Sequence, residues 1–169
     1  PQIELDVARF LASQAIMLCL AGLPGTYFQS LFGARNCLPC LEATSRARSI
    51  NREKFDHDAL HALLADPGGH ARRVFAGYTQ MLRARASHPA FHPAAPQQVV
   101  DVGAGLFALL RGKADESGGS VLCLINVTAT EQSARLAPDV GGPSFLIDLI
   151  GGGRFDLDRH NPAIKVTPY

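Results

Sequence analysis

A change in hydrophobic pattern near residue 93 constrains this chain more than any other feature of its 169 residues. Before that point, apolar residues recur every three or four positions, as they do on amphipathic helices. Residues 89–96 hold three prolines and follow no regular pattern. Beyond them, short apolar runs alternate with glycine-rich turns, which is typical of a small antiparallel sandwich or barrel. We therefore predict an α/β part over residues 1–92 and an all-β domain over residues 93–169.

In the first part, the spacing predicts helices over residues 2–20, 56–65 and 70–87. Asp56 is expected to cap the second of these helices. Thr26–Phe32 is apolar and aromatic and follows a helix directly, so we expect a buried parallel strand there. Residues 33–52 show no period, and we expect a long loop of the kind that often carries function.

The second part contains a series of strand-like runs. They are residues 97–102, 106–111, 120–127, 134–136, 145–150 and 164–167. The chain starts at Pro1 rather than at Met, and its last strand-like run stops close to Tyr169. Both ends look cut, so we expect a piece of a longer protein.

Charge and composition narrow the classes of function. The chain has 16 Lys and Arg residues against 15 Asp and Glu, so its net charge of +1 offers no basic footprint for nucleic acid or an anionic membrane. Hydrophobic residues make up 47% of the chain, which is enough for a core. No apolar stretch approaches the ~20 residues of a membrane span. We predict no nucleic-acid partner and no membrane partner; the oligomeric state is open.

The cysteines indicate a reducing compartment. Cys37 and Cys40 form a C-x-x-C motif, but it stands alone in a predicted loop, with no second cluster to complete a zinc site. Two incidental cysteines are therefore favoured over a metal or redox role. Cys19 and Cys123 lie in apolar runs and are predicted to be small buried hydrophobic residues. Because this is no disulfide framework, we predict a cytoplasmic protein.

Two other motifs have simple interpretations. His57 and His61 share a helix face at the spacing of metal ligands, but a solvated face is favoured because no third ligand is evident. Asn126-Val127-Thr128 is a glycosylation sequon, which matters only in a secreted protein. We predict no metal and no cofactor.

The predicted loop is rich in arginine and asparagine. These residues are Arg35, Asn36, Arg46, Arg48, Asn51 and Arg52. The loop follows the predicted strand, and α/β folds keep their active sites at the carboxyl ends of strands. Guanidinium groups make planar, two-point contacts with carboxylates, phosphates and vicinal hydroxyls. The alternative is a solvated surface loop.

The segment Arg46–Glu53, R-A-R-S-I-N-R-E, resembles a stretch of the sucrose phosphorylase subfamily of glycoside hydrolase family 13, the α-amylase superfamily. Residues 21–27, 31–36 and 88–93 resemble other segments of that family in the same order. The resemblance covers most of residues 3–100. It is closer to the branch with glucosylglycerate and sucrose 6'-phosphate phosphorylases than to sucrose phosphorylase itself. Cys37–Cys40 departs from it, since relatives usually have an acidic or aromatic insertion there.

The resemblance implies the C-terminal end of a (β/α)8 TIM barrel, with its last strand and helices, followed by a small antiparallel β-sandwich domain. It implies an enzyme that transfers glucose from sucrose or a related α-glucoside to inorganic phosphate with retention, giving glucose 1-phosphate. The family's catalytic carboxylates lie upstream, in the rest of the barrel N-terminal to Pro1. The fragment alone is therefore expected to be inactive. An α-amylase-type hydrolase or transglucosylase of the same fold is the alternative.

The resemblance also implies roles for individual residues. Arg48 matches the family arginine that pairs with a barrel aspartate and binds glucose hydroxyls, so it is the predicted substrate-binding residue. Asn51 and Arg52 are expected to hold the shape of the loop and to support the site. Arg35 and Asn36 are expected to approach the acceptor.

A non-catalytic carbohydrate-binding β module is an alternative of another class. Such modules display several aromatic rings on one sheet face. After residue 97 this chain has Phe107, Phe145, Phe155 and Tyr169 as its aromatic residues and no Trp, which disfavours stacking on sugar rings.

Overall fold

The computed structural model describes residues 2–113, 119–136, 145–157 and 163–169. The chain forms two compact units. The first holds the chain up to Phe10 together with Gly25–Thr79, and the second holds Leu11–Pro24 together with Gln80–Tyr169. The predicted domain boundary after residue 92 stays a prediction.

The α-helices of the described residues are α1 Gln2–Cys19, α2 Leu38–Thr44, α3 His57–Ala65 and α4 His70–Ser87. The three predicted helices are confirmed as α1, α3 and α4. Asp56 caps α3 as predicted, because its Oδ1 accepts a hydrogen bond from the Ala59 amide at 3.0 Å. None of the helices in the described part of the chain is long and apolar enough to cross a membrane.

The predicted strand over Thr26–Phe32 is wrong. Phe28–Phe32 is a short 3-10 helix whose backbone bonds are local, such as that from the Ser30 amide to the Tyr27 carbonyl at 3.0 Å. Within the described ranges no strand pairs with this segment. The run is apolar because its rings pack inward: Phe32 is buried and stacks on Phe75, with ring centroids 5.6 Å apart. A short apolar run suits a buried helical turn as well as a strand, so periodicity alone does not separate them.

The predicted featureless loop over residues 33–52 is also wrong. It contains α2 and a second 3-10 helix, Ala47–Asn51, and neither has a buried residue. The cap residue Cys37 accepts a hydrogen bond from the Cys40 amide at its Sγ, and Ser45 ends α2 with a φ of 51°. Because local caps rather than burial hold these turns, no hydrophobic period reveals them in the sequence.

The core of the first unit is small and aromatic. Val7, Phe32, Val74 and Tyr78 are its buried apolar residues. Phe55 covers one side of Phe32, with ring centroids 5.7 Å apart and the rings edge to face. Packing of Phe32 therefore holds the 3-10 helix that precedes the arginine-rich residues.

The described part of the second unit forms short antiparallel strands. They are β1 Gln97–Val99, β2 Leu106–Gly112, β3 Ser120–Asn126, β4 Gln132–Arg135, β5 Phe145–Ile147, β6 Arg154–Asp156 and β7 Ala163–Val166. They pair as three sheets, in the orders β1-β2-β3, β4-β7 and β5-β6. In the long ladder of β2 and β3, Leu109 lies opposite Cys123. The buried core cluster consists of Val102, Ala108, Ala134, Leu136 and Leu157.

The predicted strand-like runs all contain strands, but two of the strands end three residues earlier than expected. β1 ends at Val99 and β5 at Ile147. Asp148 turns the chain after β5, because its Oδ1 accepts from the Ile150 amide at 2.8 Å and its carbonyl from the Gly152 amide at 2.9 Å. The turn leads into β6, which the sequence analysis missed since its three residues are all exposed.

Two arginines bind the carboxyl end of α1. Arg111 is completely buried and donates to the carbonyls of Cys19 and His92, each at 3.1 Å. Arg85 donates to the carbonyl of Gly22 at 2.7 Å and to that of Leu18. The carboxyl end of a helix carries unpaired carbonyls and partial negative charge. The two guanidinium groups donate hydrogen bonds to these carbonyls and offset that charge.

Candidate functional site

The arginine-rich residues lie on a segment that folds back on itself, residues 37–52, called here the arginine segment. Its ends meet because the Cys37 amide donates to the Ile50 carbonyl at 2.6 Å. Between these ends, the Thr44 hydroxyl lies 2.8 Å from the Cys40 carbonyl and 2.7 Å from the Ser49 hydroxyl. A single hydroxyl thus ties α2 to the 3-10 helix Ala47–Asn51.

Two side chains from the preceding 3-10 region bind the far end of the arginine segment. The Tyr27 hydroxyl donates to the Asn51 carbonyl at 3.2 Å, and Gln29 Nε2 donates to the Glu53 carbonyl at 3.0 Å. Residues close to the aromatic core therefore position the backbone three to five residues after Arg48.

Arg48 lies within Ala47–Asn51 and its side chain is exposed. In the part of the chain that the structure describes, its guanidinium has neither a carboxylate nor a hydrogen-bond partner. Asn51 and Arg52 lie three and four residues after Arg48, and both are exposed too. Because the backbone is held in place here, an unpaired guanidinium can bind a ligand with little further loss of backbone entropy.

Arg35 has different surroundings. It lies before α2, and its Nη2 is 2.7 Å from Asp6 Oδ2 on α1. Together they line an open recess of about 360 Å³, and Asn36 beside them is exposed. Among the described residues, no hydrogen bond or ion pair links Arg35 to Arg48. The structure thus brings Arg48, Asn51 and Arg52 together and leaves Arg35 in a separate, paired environment.

Sequence reasoning missed His70, which contacts the backbone four residues before the arginine segment begins. Its Nε2 lies 3.0 Å from the Gly33 carbonyl, and its Nδ1 is buried with no hydrogen-bond partner among the described residues. Gly33 has a φ of 60°, and a Cβ added there would lie 2.6 Å from His70 Nε2. No sequence signal pairs these residues, because they are 37 positions apart.

The structure joins Cys37 and Cys40 in a disulfide, with Cα atoms 5.2 Å apart, so their interpretation as incidental cysteines is wrong. The error follows from placing them in a loop, whereas Cys37 caps α2. Cys19 and Cys123 are free; Cys19 is buried as predicted and Cys123 is half-buried. A hydrogen bond between these two thiols lowers the pKa of Cys19, and the same bond, together with burial, raises the pKa of Cys123.

The histidine motif is a pair on an exposed helix. The rings of His57 and His61 have centroids 4.4 Å apart, and His57 Nδ1 lies 3.0 Å from Asp58 Oδ1. Over the described ranges, no three His, Cys, Asp or Glu residues come close enough to hold a metal ion.

The sequon asparagine has a structural role. Asn126 is buried, and its Nδ2 donates to the carbonyls of Thr130 at 2.7 Å and Val166 at 3.1 Å. Its Oδ1 accepts from the Thr128 amide at 2.8 Å. The nitrogen that a glycan would need is therefore engaged inside the fold.

No family model matches the chain. Curated relatives that match it are named glucosylglycerate phosphorylase. The relative from Spirochaeta thermophila is 43% identical over 179 residues, covering 95% of this chain and 30% of its own length. That from Allomeiothermus silvanus is 41% identical over 129 residues, covering 76% of this chain and 22% of its own length. The chain thus spans less than a third of either relative.

Solved structures are similar to nearly the whole chain. AmyP in complex with maltose has a TM-score of 0.74 at 16% identity, over 97% of this chain and 33% of the AmyP chain. A trehalose-6-phosphate hydrolase from Bacillus licheniformis has a TM-score of 0.62 at 19% identity, over 97% of this chain and 37% of its own. At these identities the similarity shows a shared fold.

Proposed function

We propose that this chain forms the C-terminal part of a glycoside hydrolase family 13 phosphorylase that acts on an α-glucoside. The predicted fold class is confirmed, apart from the last strand expected at Thr26–Phe32, since the structural neighbours are TIM-barrel enzymes of this family and the chain corresponds to about a third of each. The observation that carries the proposed activity is the 43% identity, over 95% of the chain, to a protein named glucosylglycerate phosphorylase.

The proposed reaction moves a glucosyl group from glucosylglycerate to inorganic phosphate. A carboxylate attacks the anomeric carbon while a second carboxyl group protonates the leaving oxygen, and phosphate then attacks the glucosyl-enzyme. The product is glucose 1-phosphate with retained configuration. We place both carboxyl groups outside this chain, because none of its Asp or Glu residues matches the family's catalytic motifs. The name of the relatives favours glucosylglycerate over sucrose as the donor.

The proposed contribution of this chain is Arg48. Its exposed guanidinium has the planar fork needed to contact a carboxylate and adjacent sugar hydroxyls together. The hydrogen bonds from the Cys37 amide to the Ile50 carbonyl and from the Tyr27 hydroxyl to the Asn51 carbonyl hold the turn that presents it. Asn51 and Arg52 support that turn in this proposal, and Arg35 with Asn36 faces the acceptor.

A proposal of another class, a carbohydrate-binding β module, has less support. Such a module needs exposed ring faces on a sheet. In the described β residues, the face of Phe145 is covered by the Arg154 guanidinium, 3.9 Å from the ring centroid. The phosphorylase proposal includes a cytoplasmic location, sugar and phosphate as partners, and a domain boundary after residue 92.

The test is phosphorolysis by the full-length protein. We expect glucose 1-phosphate from glucosylglycerate and phosphate, with a higher kcat/KM than from sucrose. A preference for sucrose would contradict the proposed donor. Free glucose at saturating phosphate would indicate an α-amylase-type hydrolase, and transfer of glucose to another sugar would indicate a transglucosylase.

A further inference from the structure

We propose that the Cys37–Cys40 disulfide is a thiol–disulfide exchange site, and that its reduction by a dithiol loosens the arginine segment and weakens sugar binding at Arg48. The functional half of this inference rests on the proposed role of Arg48. The structural half, which comprises exchange of the disulfide and loosening of the arginine segment, depends only on the fold of residues 37–52.

The disulfide is open to a small reductant. Both cysteines are half-buried, and Leu38 and Pro39 between them are exposed, Leu38 to 59%. An attacking thiolate must reach one sulfur of the pair, so access decides whether a folded protein can exchange its disulfide.

The order of the arginine segment depends on few interactions. Neither α2 nor the 3-10 helix Ala47–Asn51 buries a residue. Segments with few buried apolar contacts open locally at low free energy. The disulfide between Cys37 and Cys40 closes the first turn of α2 covalently, and polar contacts restrain the rest of the segment.

Hydrogen bonds connect the disulfide to the Arg48 turn at two points. The Cys37 amide donates to the Ile50 carbonyl at 2.6 Å. The Cys40 carbonyl binds the Thr44 hydroxyl, which also contacts Ser49. Each cysteine is thus linked through its backbone to a residue within two positions of Arg48, so in the proposal a looser first turn of α2 weakens both links.

The exchange is balanced with a dithiol as reductant. One thiolate of the dithiol attacks a cysteine sulfur, the Cys37–Cys40 bond breaks, and the other protein sulfur leaves as a thiolate that takes up a proton. The second thiol of the dithiol then displaces the remaining protein sulfur. The products are two protein thiols and the cyclic disulfide of the reductant, with two electrons transferred to the protein.

The first experiment measures exchange and loosening in the full-length protein. After dithiothreitol treatment, alkylation and mass analysis should find Cys37 and Cys40 newly modified while the protein stays folded. Hydrogen exchange of residues 38–51 should accelerate about tenfold, the order expected when a short cross-linked loop is released. The double variant Cys37→Ser/Cys40→Ser should show fast exchange without reductant. A Cys19→Ala/Cys123→Ala variant is the matched control and should respond as the wild type does.

The second experiment measures activity on glucosylglycerate. Reduction should lower kcat/KM several-fold, mainly through KM, and reoxidation should restore it; the serine variant should not respond. Unchanged exchange of residues 38–51 on reduction, or a disulfide reduced only by denaturation, would overturn the inference. So would an unchanged kcat/KM on reduction when Arg48→Ala is inactive, and the proposed function would then stand. Full activity of Arg48→Ala would instead overturn the proposed role of Arg48, and the coupling with it.

Discussion

At the scale of single residues, the arginines of this chain have opposite surroundings. Arg111 is completely buried and uses its guanidinium on backbone carbonyls. Arg48 is exposed and, within the described residues, has no partner. A buried arginine whose terminal nitrogens bind backbone carbonyls supports structure, whereas an exposed one on an anchored turn is available to a ligand. The two arginines therefore differ in burial and in hydrogen bonding, which composition alone does not show.

Replacing Arg48 tests the proposed site. In the full-length protein, Arg48→Ala should lower kcat/KM for glucosylglycerate by roughly 100-fold or more, because a charged two-point contact to the sugar is lost. Its Tm should stay within about 2 °C of the wild type, since the side chain is exposed. Arg46→Ala, an exposed arginine two positions away, is the control and should keep its activity. Wild-type kcat/KM for Arg48→Ala would remove this residue from the site.

Gly33 is a position where only glycine fits. Gly33→Ala should destabilise the fold by about 1–3 kcal/mol, because φ is positive and the new Cβ would meet His70 and Val74. Thermal unfolding of the full-length protein measures the change. Gly25→Ala is the matched control, since nothing lies within 4 Å of a Cβ there. Equal Tm values for the two variants would contradict this account of Gly33.

At the scale of secondary-structure elements, contacts at the ends and turns fix where each element begins and ends. The carboxyl end of α1 is completed by guanidinium groups of Arg85 and Arg111, from α4 and β2. Cys37 and Ser45 delimit α2. Asp148 ends β5. Each of these contacts satisfies backbone groups that the element itself leaves unpaired.

Arg111→Met tests the arginine cap of α1. It keeps much of the side-chain volume but leaves the carbonyls of Cys19 and His92 without their donor, so we expect a loss of about 2–3 kcal/mol. Urea unfolding followed by circular dichroism measures it. Arg83→Met, an exposed arginine on α4, should change stability by less than about 0.5 kcal/mol. Similar losses for both variants would show that the carbonyl contacts are not the cause.

At the scale of the whole molecule, a set of large apolar side chains is exposed. Leu23 is 85% exposed and Val99 76%, and Phe28 and Ile147 are each 53% exposed. Apolar surface of this kind is covered by a partner surface or leads to association. In the proposed function, the rest of the barrel supplies such a surface for this chain.

The 169-residue chain produced alone should therefore self-associate or precipitate. Size-exclusion chromatography with light scattering measures this, and the full-length protein is the control and should give a single defined species. A monodisperse 169-residue product that melts cooperatively would contradict the expectation.

The sequence by itself determined the helices α1, α3 and α4, the positions of most strands and the resemblance to glycoside hydrolase family 13. These features depend on local periodicity and on motifs whose residues are neighbours along the chain. The arginine segment was also recognisable for this reason, because its R-S-I-N-R residues are contiguous. The role of Arg48 stays a prediction.

Only the tertiary structure decided what Thr26–Phe32 becomes, because rings packed around Phe32 and the absence of a pairing strand in the described residues favour a 3-10 helix there. It also decided the Cys37–Cys40 link, the contact of His70 with Gly33 and the burial of Arg111. Each of these depends on distances between particular atoms in the folded chain. Hydrophobic spacing carries no such information, since it reports which face of an element is buried and not what that face meets.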